Sequence, residues 1–479
     1  MVDVPLPLLT APGRLPQAAG GRLINTYPEK LPATAGKPHA YWRTPGLRPW
    51  GTSAGTNYRG ALLVNNLIYA VISNTVYTFS VIGGAGTALT GTLPGTLPVT
   101  MARNNKPVPD IVIVAPGDGA FVITAAAPTT VVGYPNGSGG LILGSPNAVV
   151  FHRGFFIFTF GDGHSQASKV NSIDIVSLDN ATAESKPDTL YRPIPLGNGQ
   201  LLLCGSTTLE VWGGTVNDVG YPFNYVATVP RGLVGINAIA GHDDGFGKGI
   251  FLVGDDFKVS TLDGYTTVPV STPDIDLLIE KEPDKTLITV GVYVSQGHGV
   301  VVVQGPNWCW EYDTTLQNWH ERKSHLVDYW RGKFPIAAFG QWIAGDKKSG
   351  NLAVIDGLTN TEFGDPLLIT IETGPMGAFP NKIRINGIEL YLTKGVGKAT
   401  GADPLETDPD ISISISRDGG QTWSNPRVIK IGRQSLTDQR VRSSIWGQAQ
   451  NQGVRWRIRE SAPLSFGFMG IDMQVDKLL

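Results

Sequence analysis

The stretch Gln200-Leu-Leu-Leu-Cys-Gly-Ser-Thr-Thr-Leu-Glu-Val-Trp212 decides the fold. An apolar run meets a Gly-Ser-Thr turn and a second apolar run that ends on an aromatic, which reads as two short strands of a hairpin. The same texture recurs in Ala61-Leu-Leu-Val-Asn-Asn-Leu-Ile-Tyr-Ala-Val71, in Asp110–Thr124 and in Ala148–Phe158. Further units begin near Gly249, His298 and Ala338. The starts at 61, 110, 148, 200, 249, 298 and 338 are separated by 49, 38, 52, 49, 49 and 40 residues. A period of ~40–50 residues with about four short strands per unit is the sequence sign of a β-propeller, here of six or seven blades. Each blade has two apolar faces that it cannot bury alone. Stacking blades around an axis buries both and leaves only short edges.

Outward from the repeats, the chain remains all-β. It holds 60 Gly and 34 Pro in 479 residues, too much punctuation for a helical protein. Asp274–Glu282 is the best short helix candidate. Residues 1–50 carry nine prolines and little periodicity, so they read as an extended N-terminal arm lying on something else. Residues 51–364 are the propeller. After about residue 365 the strands Ile383–Leu392, Ile411–Ser416 and Val454–Arg459 alternate strictly, as half-exposed antiparallel strands do. Residues 365–479 therefore read as an additional C-terminal β-module, the other possibility being the last blade with its closing strand. Residues 427–479 carry nine basic and four acidic side chains, which leaves 29 and 36 for residues 1–426.

Composition excludes several functions. A net charge of −2 gives no global case for binding nucleic acid or a membrane surface. Two cysteines, Cys204 and Cys309, exclude a disulfide scaffold and a thiolate zinc site. The apolar runs, such as Gly299–Val303, fall far short of the ~18–20 residues of a membrane helix. The start lacks a basic region and is broken by prolines, so a soluble protein made in a cytoplasm is expected. Charged residues make up only 16% of the chain, which suggests that some surface faces another subunit.

Ser416-Arg-Asp418-Gly-Gly420-Gln-Thr422-Trp423 matches the Asp-box pattern S-x-D-x-G-x-T-W over its full length. Asp418 is placed to accept backbone N–H bonds across a tight hairpin, Gly420 to supply a positive φ, and Trp423 to pack over the turn. The motif is structural. Sialidases carry several such boxes on a propeller, but their chemistry needs three arginines, a Tyr–Glu pair and an acidic donor, and one box outside the clear repeats does not supply them. His242-Asp243-Asp244 reads as a solvated loop, because adjacent residues point apart and a metal needs three or four convergent ligands. Asp346-Lys-Lys-Ser-Gly-Asn reads as a turn, and Gly161-Asp-Gly163 and Gly137-Ser-Gly-Gly140 as turn glycines. Glu184 and Asp188 read as solvent-facing carboxylates. Arg455-Trp-Arg457-Ile-Arg459 puts three arginines on one strand face, either as a charged subunit contact or as an outward face paired with neighbouring acids. No catalytic, cofactor or metal constellation is expected.

Taken in order, several segments resemble one family. They are Asn25-Thr-Tyr27-Pro-Glu29, Arg43-Thr44-Pro45-Gly46-Leu47, Asn66-Leu-Ile-Tyr69, Gly154-Phe-Phe-Ile157, Gly205-Ser-Thr-Thr-Leu-Glu210-Val-Trp212, Tyr221-Pro222-Phe223, Ser271-Thr272-Pro273-Asp274, Trp319-His-Glu321-Arg322 and the Asp box. The chain resembles the packaged-DNA stabilisation proteins, or tail hub (nozzle) proteins, of short-tailed bacteriophages over about residues 20–460. The resemblance implies a virion protein: a homo-oligomer of six copies below the portal and its adaptor ring. It would continue the channel for double-stranded DNA, retain the packaged DNA and dock a needle, fibres or spikes. A basic channel lining would bind phosphate tightly and slow ejection. The acidic balance of residues 1–426 therefore nominates Asp274, Asp276, Glu280, Glu282 and Asp284 for the lumen. Two other readings stand beside it, a propeller glycoside hydrolase and a receptor-binding tail protein.

Overall fold

A computed structural model describes residues 2–135, 144–183, 186–215, 220–377, 382–449 and 453–478. Seven blades of four antiparallel strands stand around one axis; five are separate sheets, while blades 6 and 7 are parts of sheets of nine and seven strands. Six of the blades are each made from one continuous piece of chain. In blade 4 the strands are Leu190–Pro195, Leu201–Gly205, Leu209–Gly214 and Phe223–Val229, from the axis outward. The second strands of blades 1 to 7 begin at Leu67, Ile111, Phe155, Leu201, Phe251, His298 and Gln341, a repeat of 43 to 50 residues. The starts at 61 and 148 fall in first strands, whereas those at 110, 200, 249 and 298 stand at or just before second strands, which is why their spacing is less even.

The period-2 geometry of a strand explains why these segments are apolar at every position. Leu201 and Leu203 face the core shared with blade 3, while Leu202 and Cys204 face the core shared with blade 5. Likewise Ile111, Ile113 and Ala115 pack on blade 1, and Val112 and Val114 on blade 3. A middle strand wedged between two neighbours has no polar side to show.

Closure does not use the C-terminus. Blade 7 takes Gly332–Ala338, Gln341–Asp346 and Leu352–Asp356 from one end of the propeller, and its fourth strand, Gly46–Thr52, from the N-terminal arm. Ile68, Ala70 and Ile72 of blade 1 then pack on Ile343, Leu352 and Val354 of blade 7. Gly345 has to be glycine here, since a Cβ would lie 2.0 Å from the Tyr58 ring.

The C-terminal residues form a β-sandwich. One sheet holds Thr26–Lys30, His39–Arg43, Gly467–Leu478, Lys382–Leu392 and Arg442–Ala449, with Val2–Asp3 on Gly467–Leu478. The other holds Ile369–Thr373, Arg455–Glu460, Asp410–Ser416 and Arg427–Lys430. Between them lie Ile411, Ile413, Ile415, Leu390 and Phe468, with Trp446 and Trp456 edge-to-face at 5.0 Å.

The two halves are joined by hydrogen bonds as well as by covalent chain. Gly21–Ile24 pairs in parallel with the outer strand of blade 6, Asn318–Glu321, and antiparallel with Ile369–Thr373 of the sandwich. One nine-stranded sheet thus runs from the axis of blade 6 to the far edge of the sandwich. The proline-rich arm lies on both halves and supplies strands to each. The helix Pro273–Lys281 follows the outer strand of blade 5 and buries Ile275 and Ile279 against the core of blades 5 to 7.

Candidate functional site

The Asp box sits on the hairpin after Asp410–Ser416. Asp418 Oδ1 accepts the Ser416 hydroxyl at 2.7 Å and the amides of Gln421 and Thr422 at 3.0 Å. Its Oδ2 accepts the Thr422 hydroxyl at 2.6 Å, and the Gly420 amide donates to Ser416 Oγ at 2.7 Å. Partial burial pushes the Asp418 carboxyl up, but the hydroxyls of Thr422 and Ser416 and the two amides outweigh it and hold the group well below the ordinary carboxylate range. Gly420 has φ +105°, and a Cβ there would lie 2.6 Å from the Arg455 guanidinium.

That last distance shows what the sequence pattern does not: the box and the arginine strand are one site. Arg457 stacks over the Trp423 ring at 3.8 Å and donates to Glu372 Oε1 at 2.6 Å. Arg455 is buried, donating to the carbonyls of Thr373 (2.8 Å) and Pro16 (2.9 Å), with Glu372 at 3.6 Å. Burial pulls its pKa down against the pull of Glu372. Arg459 is exposed at the end of the row. Arg22, on the bridging strand, forks onto Glu321 with bonds of 2.8 and 2.6 Å, and this pairing raises its pKa. Arg22, Glu372, Trp423, Arg455 and Arg457, with Pro12 and Gly13 of the arm, line a cavity of about 210 Å³. Arg22 and Glu372 carry no signal in the sequence, because their roles come from strand pairing between remote segments, 299 residues apart for Arg22 and Glu321 and 85 for Arg457 and Glu372. Two guanidiniums and an indole around one shared carboxylate form a surface for holding chains together or for gripping an acidic group.

The five acids nominated for a lumen lie elsewhere, on and after the helix Pro273–Lys281. Asp276 accepts the Ser271 hydroxyl, Glu282 accepts Trp308 Nε1 at 2.9 Å, and Asp284 accepts the Thr286 amide at 3.0 Å and its hydroxyl at 2.6 Å. Asp274 and Glu280 make no side-chain hydrogen bond among the described residues, and Glu280 is exposed.

Other readings change with the structure. Asp188 does not simply face solvent: one of its oxygens accepts the amides and hydroxyls of both Thr207 and Thr208 at 2.8 to 3.2 Å, which clamps the turn of blade 4. Glu184 and Gly137–Gly140 lie outside the described residues. His242-Asp243-Asp244 is only partly a solvated loop. Asp244 is exposed, but His242 and Asp243 line the central cavity of the propeller. Asp346 opens a turn as expected, yet it is fully buried under Arg331, with bonds of 2.8 and 2.7 Å. Both cysteines are buried, and burial pushes their thiols up, so neither is poised as a nucleophile. Among the described residues, no three His, Cys, Asp or Glu side chains converge as a metal site, and no helix is long and apolar enough to cross a membrane.

Comparison with known proteins adds what geometry alone does not. No curated protein matches the sequence. Among solved structures, the chain is similar to PorZ, a surface component of the type-IX secretion system of Porphyromonas gingivalis, at 14% identity and a TM-score of 0.40. That match covers 72% of this chain and 45% of PorZ, so the chain spans less than half of that protein's length. It is also similar to the WD40 β-propeller domain of Doa1, at 13% identity and a TM-score of 0.42, over 65% of this chain and 96% of that one. Two family models match in succession. The one described as bacteriophage P22 Gp10, β-propeller, covers residues 17–360, and the one described as bacteriophage P22 Gp10, β-sandwich, covers residues 375–474. Propeller and sandwich fall where the sheets place them, and the chain belongs to the bacteriophage P22 Gp10 family of structural phage proteins.

Proposed function

We propose that this chain is a non-enzymatic wall subunit of a phage tail: six copies form a hub, or nozzle, below the portal and adaptor rings. The ring continues the DNA channel, retains packaged DNA and docks a needle, fibres or spikes. The observation that carries the reading is the nine-stranded sheet from blade 6 through Gly21–Ile24 into the sandwich, in a chain of the Gp10 family. A subunit that walls a pressurised conduit must not flex between its halves, and a continuous hydrogen-bonded sheet resists that bending.

Within this reading the exposed Arg459, next to Arg457, meets an acidic patch of a sibling copy, while Arg455 holds the arm in place. The acids Asp274, Asp276, Glu280, Glu282 and Asp284 face the lumen and repel phosphate, so that DNA passes without counterion-release binding. Imaging of the assembled ring by electron microscopy tests the reading. Six copies around a lumen at the tail, with acids dominating its lining, are expected. Three copies, a place on the capsid shell, or a lumen dominated by Lys and Arg would overturn it.

A further inference from the structure

The innermost strands of the seven blades enclose a central cavity of about 590 Å³. That volume is in the ~300–1,000 Å³ range of small-ligand sites. Most of its wall is aliphatic or backbone, including Val99, Val149, Ile239 and Val290. Arg192, on the innermost strand of blade 4, stands in this wall. Its side chain makes no hydrogen bond or ion pair among the described residues. Burial pulls its pKa down, and Asp243 provides the main opposing attraction. Asp243, however, already accepts the Gly241 amide at 2.9 Å. Beside Arg192 lies His242, whose buried Nδ1 has no partner. Burial lowers the imidazole pKa to about 4, so the ring is neutral at pH 7 and one of its nitrogens carries a hydrogen to donate.

Arg192 is half-buried, and its guanidinium stands at the wall of a cavity with no hydrogen-bonded acid, so its charge has no fixed partner. Elsewhere buried guanidiniums are answered by acids or carbonyls: Arg43 by Glu460, Arg322 by Glu362, Arg331 by Asp346, and Arg59 by the carbonyls of Ser73, Leu93 and Leu97. Arg192 has neither an acid nor a carbonyl as hydrogen-bond partner among the described residues and faces open cavity. We propose that the central cavity is an anion-binding site, in which Arg192 grips a carboxylate or phosphate group and His242 donates a hydrogen bond to it. Asp244, exposed beside His242, and Arg103, opposite it on blade 2, set the charge at the mouth. Two sources carry the same chemistry: a free small anion, or an acidic segment inserted from another chain.

Isothermal titration of the full-length protein at constant ionic strength tests the site, with inorganic phosphate, succinate and a tetra-glutamate peptide as probes. One saturable site per chain is expected. Arg192→Gln should weaken it by about tenfold or more, the scale of a charge-assisted hydrogen bond. Asp244→Asn, a change at an exposed position that leaves folding intact, should tighten it about twofold by removing a like charge. Tightest binding of phosphate or succinate marks a free anion as the ligand, and tightest binding of the peptide marks an inserted acidic segment. No saturable binding by any probe, or binding that neither variant alters, would overturn the proposal.

Discussion

Blades 1 to 5 and the seam around blades 6 and 7 solve the same packing problem in different ways. In the first five blades each sheet is local in sequence, and the cores between them are aliphatic and aromatic, such as Leu202, Leu209, Val211, Ile239 and Leu252 between blades 4 and 5. At the seam, segments from both ends of the chain converge, and buried ions hold them. Arg322 donates to the Pro45 carbonyl at 2.5 Å and to Glu362 at 2.8 Å, while Glu311 accepts from His320 at 2.9 Å and Tyr293 at 3.1 Å. Asn25 bonds the carbonyls of Lys323 and Leu368, both at 2.8 Å, which ties the connection after blade 6 to the start of the sandwich. Apolar cores tolerate many arrangements of similar volume, whereas a buried ion pair penalises all but one. The difference teaches that the repeats supply cohesion and the seam supplies uniqueness: it fixes which blade receives the arm and where the sandwich attaches.

The largest expected effect comes from breaking the seam. Arg322→Met leaves Glu311 and Glu362 buried without their cation and should cost about 3–5 kcal/mol. Because the seam couples the halves, urea unfolding followed by tryptophan fluorescence should split into two transitions. Leu202→Ala is the matched change in the repeats. It removes a fully buried side chain at about 2–5 kcal/mol, but should lower the midpoint of a single transition. If Arg322→Met keeps one transition at the original midpoint, the contrast between the regions is wrong.

This contrast also marks what could be read from the sequence. The blades were legible because their middle strands are apolar at every position and their turns recur at a near-constant period. The additional C-terminal β-module was legible from strict alternation in Ile411–Ser416, and the Asp box from its own pattern. The closing strand Gly46–Thr52 was not. Arg48, Pro49 and Trp50 break any alternation, and the strand is placed by pairing with Leu352–Asp356 on one edge and with Thr361–Glu362 and Gly84–Ala85 on the other, segments remote in sequence. Likewise Gly21–Ile24 is four residues whose only distinction is the pair of strands it lies between. The pairs Arg22–Glu321 and Arg43–Glu460 join residues about 300 and 400 positions apart, and no local pattern encodes them. Arg455 and the box were each visible, but not their meeting.

A smaller effect sharpens the comparison inside the sandwich. Asp418→Ala removes the acceptor that closes the Asp-box hairpin, and should cost about 1–2 kcal/mol. Since Arg457 lies over Trp423, the loss should loosen the cavity beside the arm without reaching the blades. Hydrogen exchange checks this: the amides of Gln421 and Thr422 should exchange faster, while those of Leu201–Gly205 stay as protected as before. Equal acceleration in the blades would mean that the sandwich and the propeller share one cooperative unit even at this edge.

The smallest expected effect is a slope. Burial pushes the Glu460 carboxyl up to about 7, against the pull of Arg43 and of the Ala462 amide. Between the ordinary glutamate pKa of 4.5 and that value, the folded chain holds a proton that the unfolded chain has released. Stability from this group is therefore greatest at the acid end of the window and falls as pH rises through it, by at most about 1.4 kcal/mol per pH unit. His298 adds a slope of the same sign, since its hydrogen bond to Asp313 raises its pKa and that contribution is lost above its ordinary value of 6.5. Asp418, held low, titrates only below this window and leaves it untouched. Between pH 5 and 7 the stability measured by urea should fall more with rising pH in the wild type than in Glu460→Gln, which keeps one of the two acceptor oxygens used by Arg43 and the Ala462 amide but cannot titrate. The residual slope in that variant combines His298 and Glu362, both raised, with His152 and His242, which burial lowers and which act with the opposite sign below 6.5. If the variant keeps the full wild-type slope, then Glu460 is ionised throughout this range and the Arg43 pair behaves like the fully charged pairs of the seam.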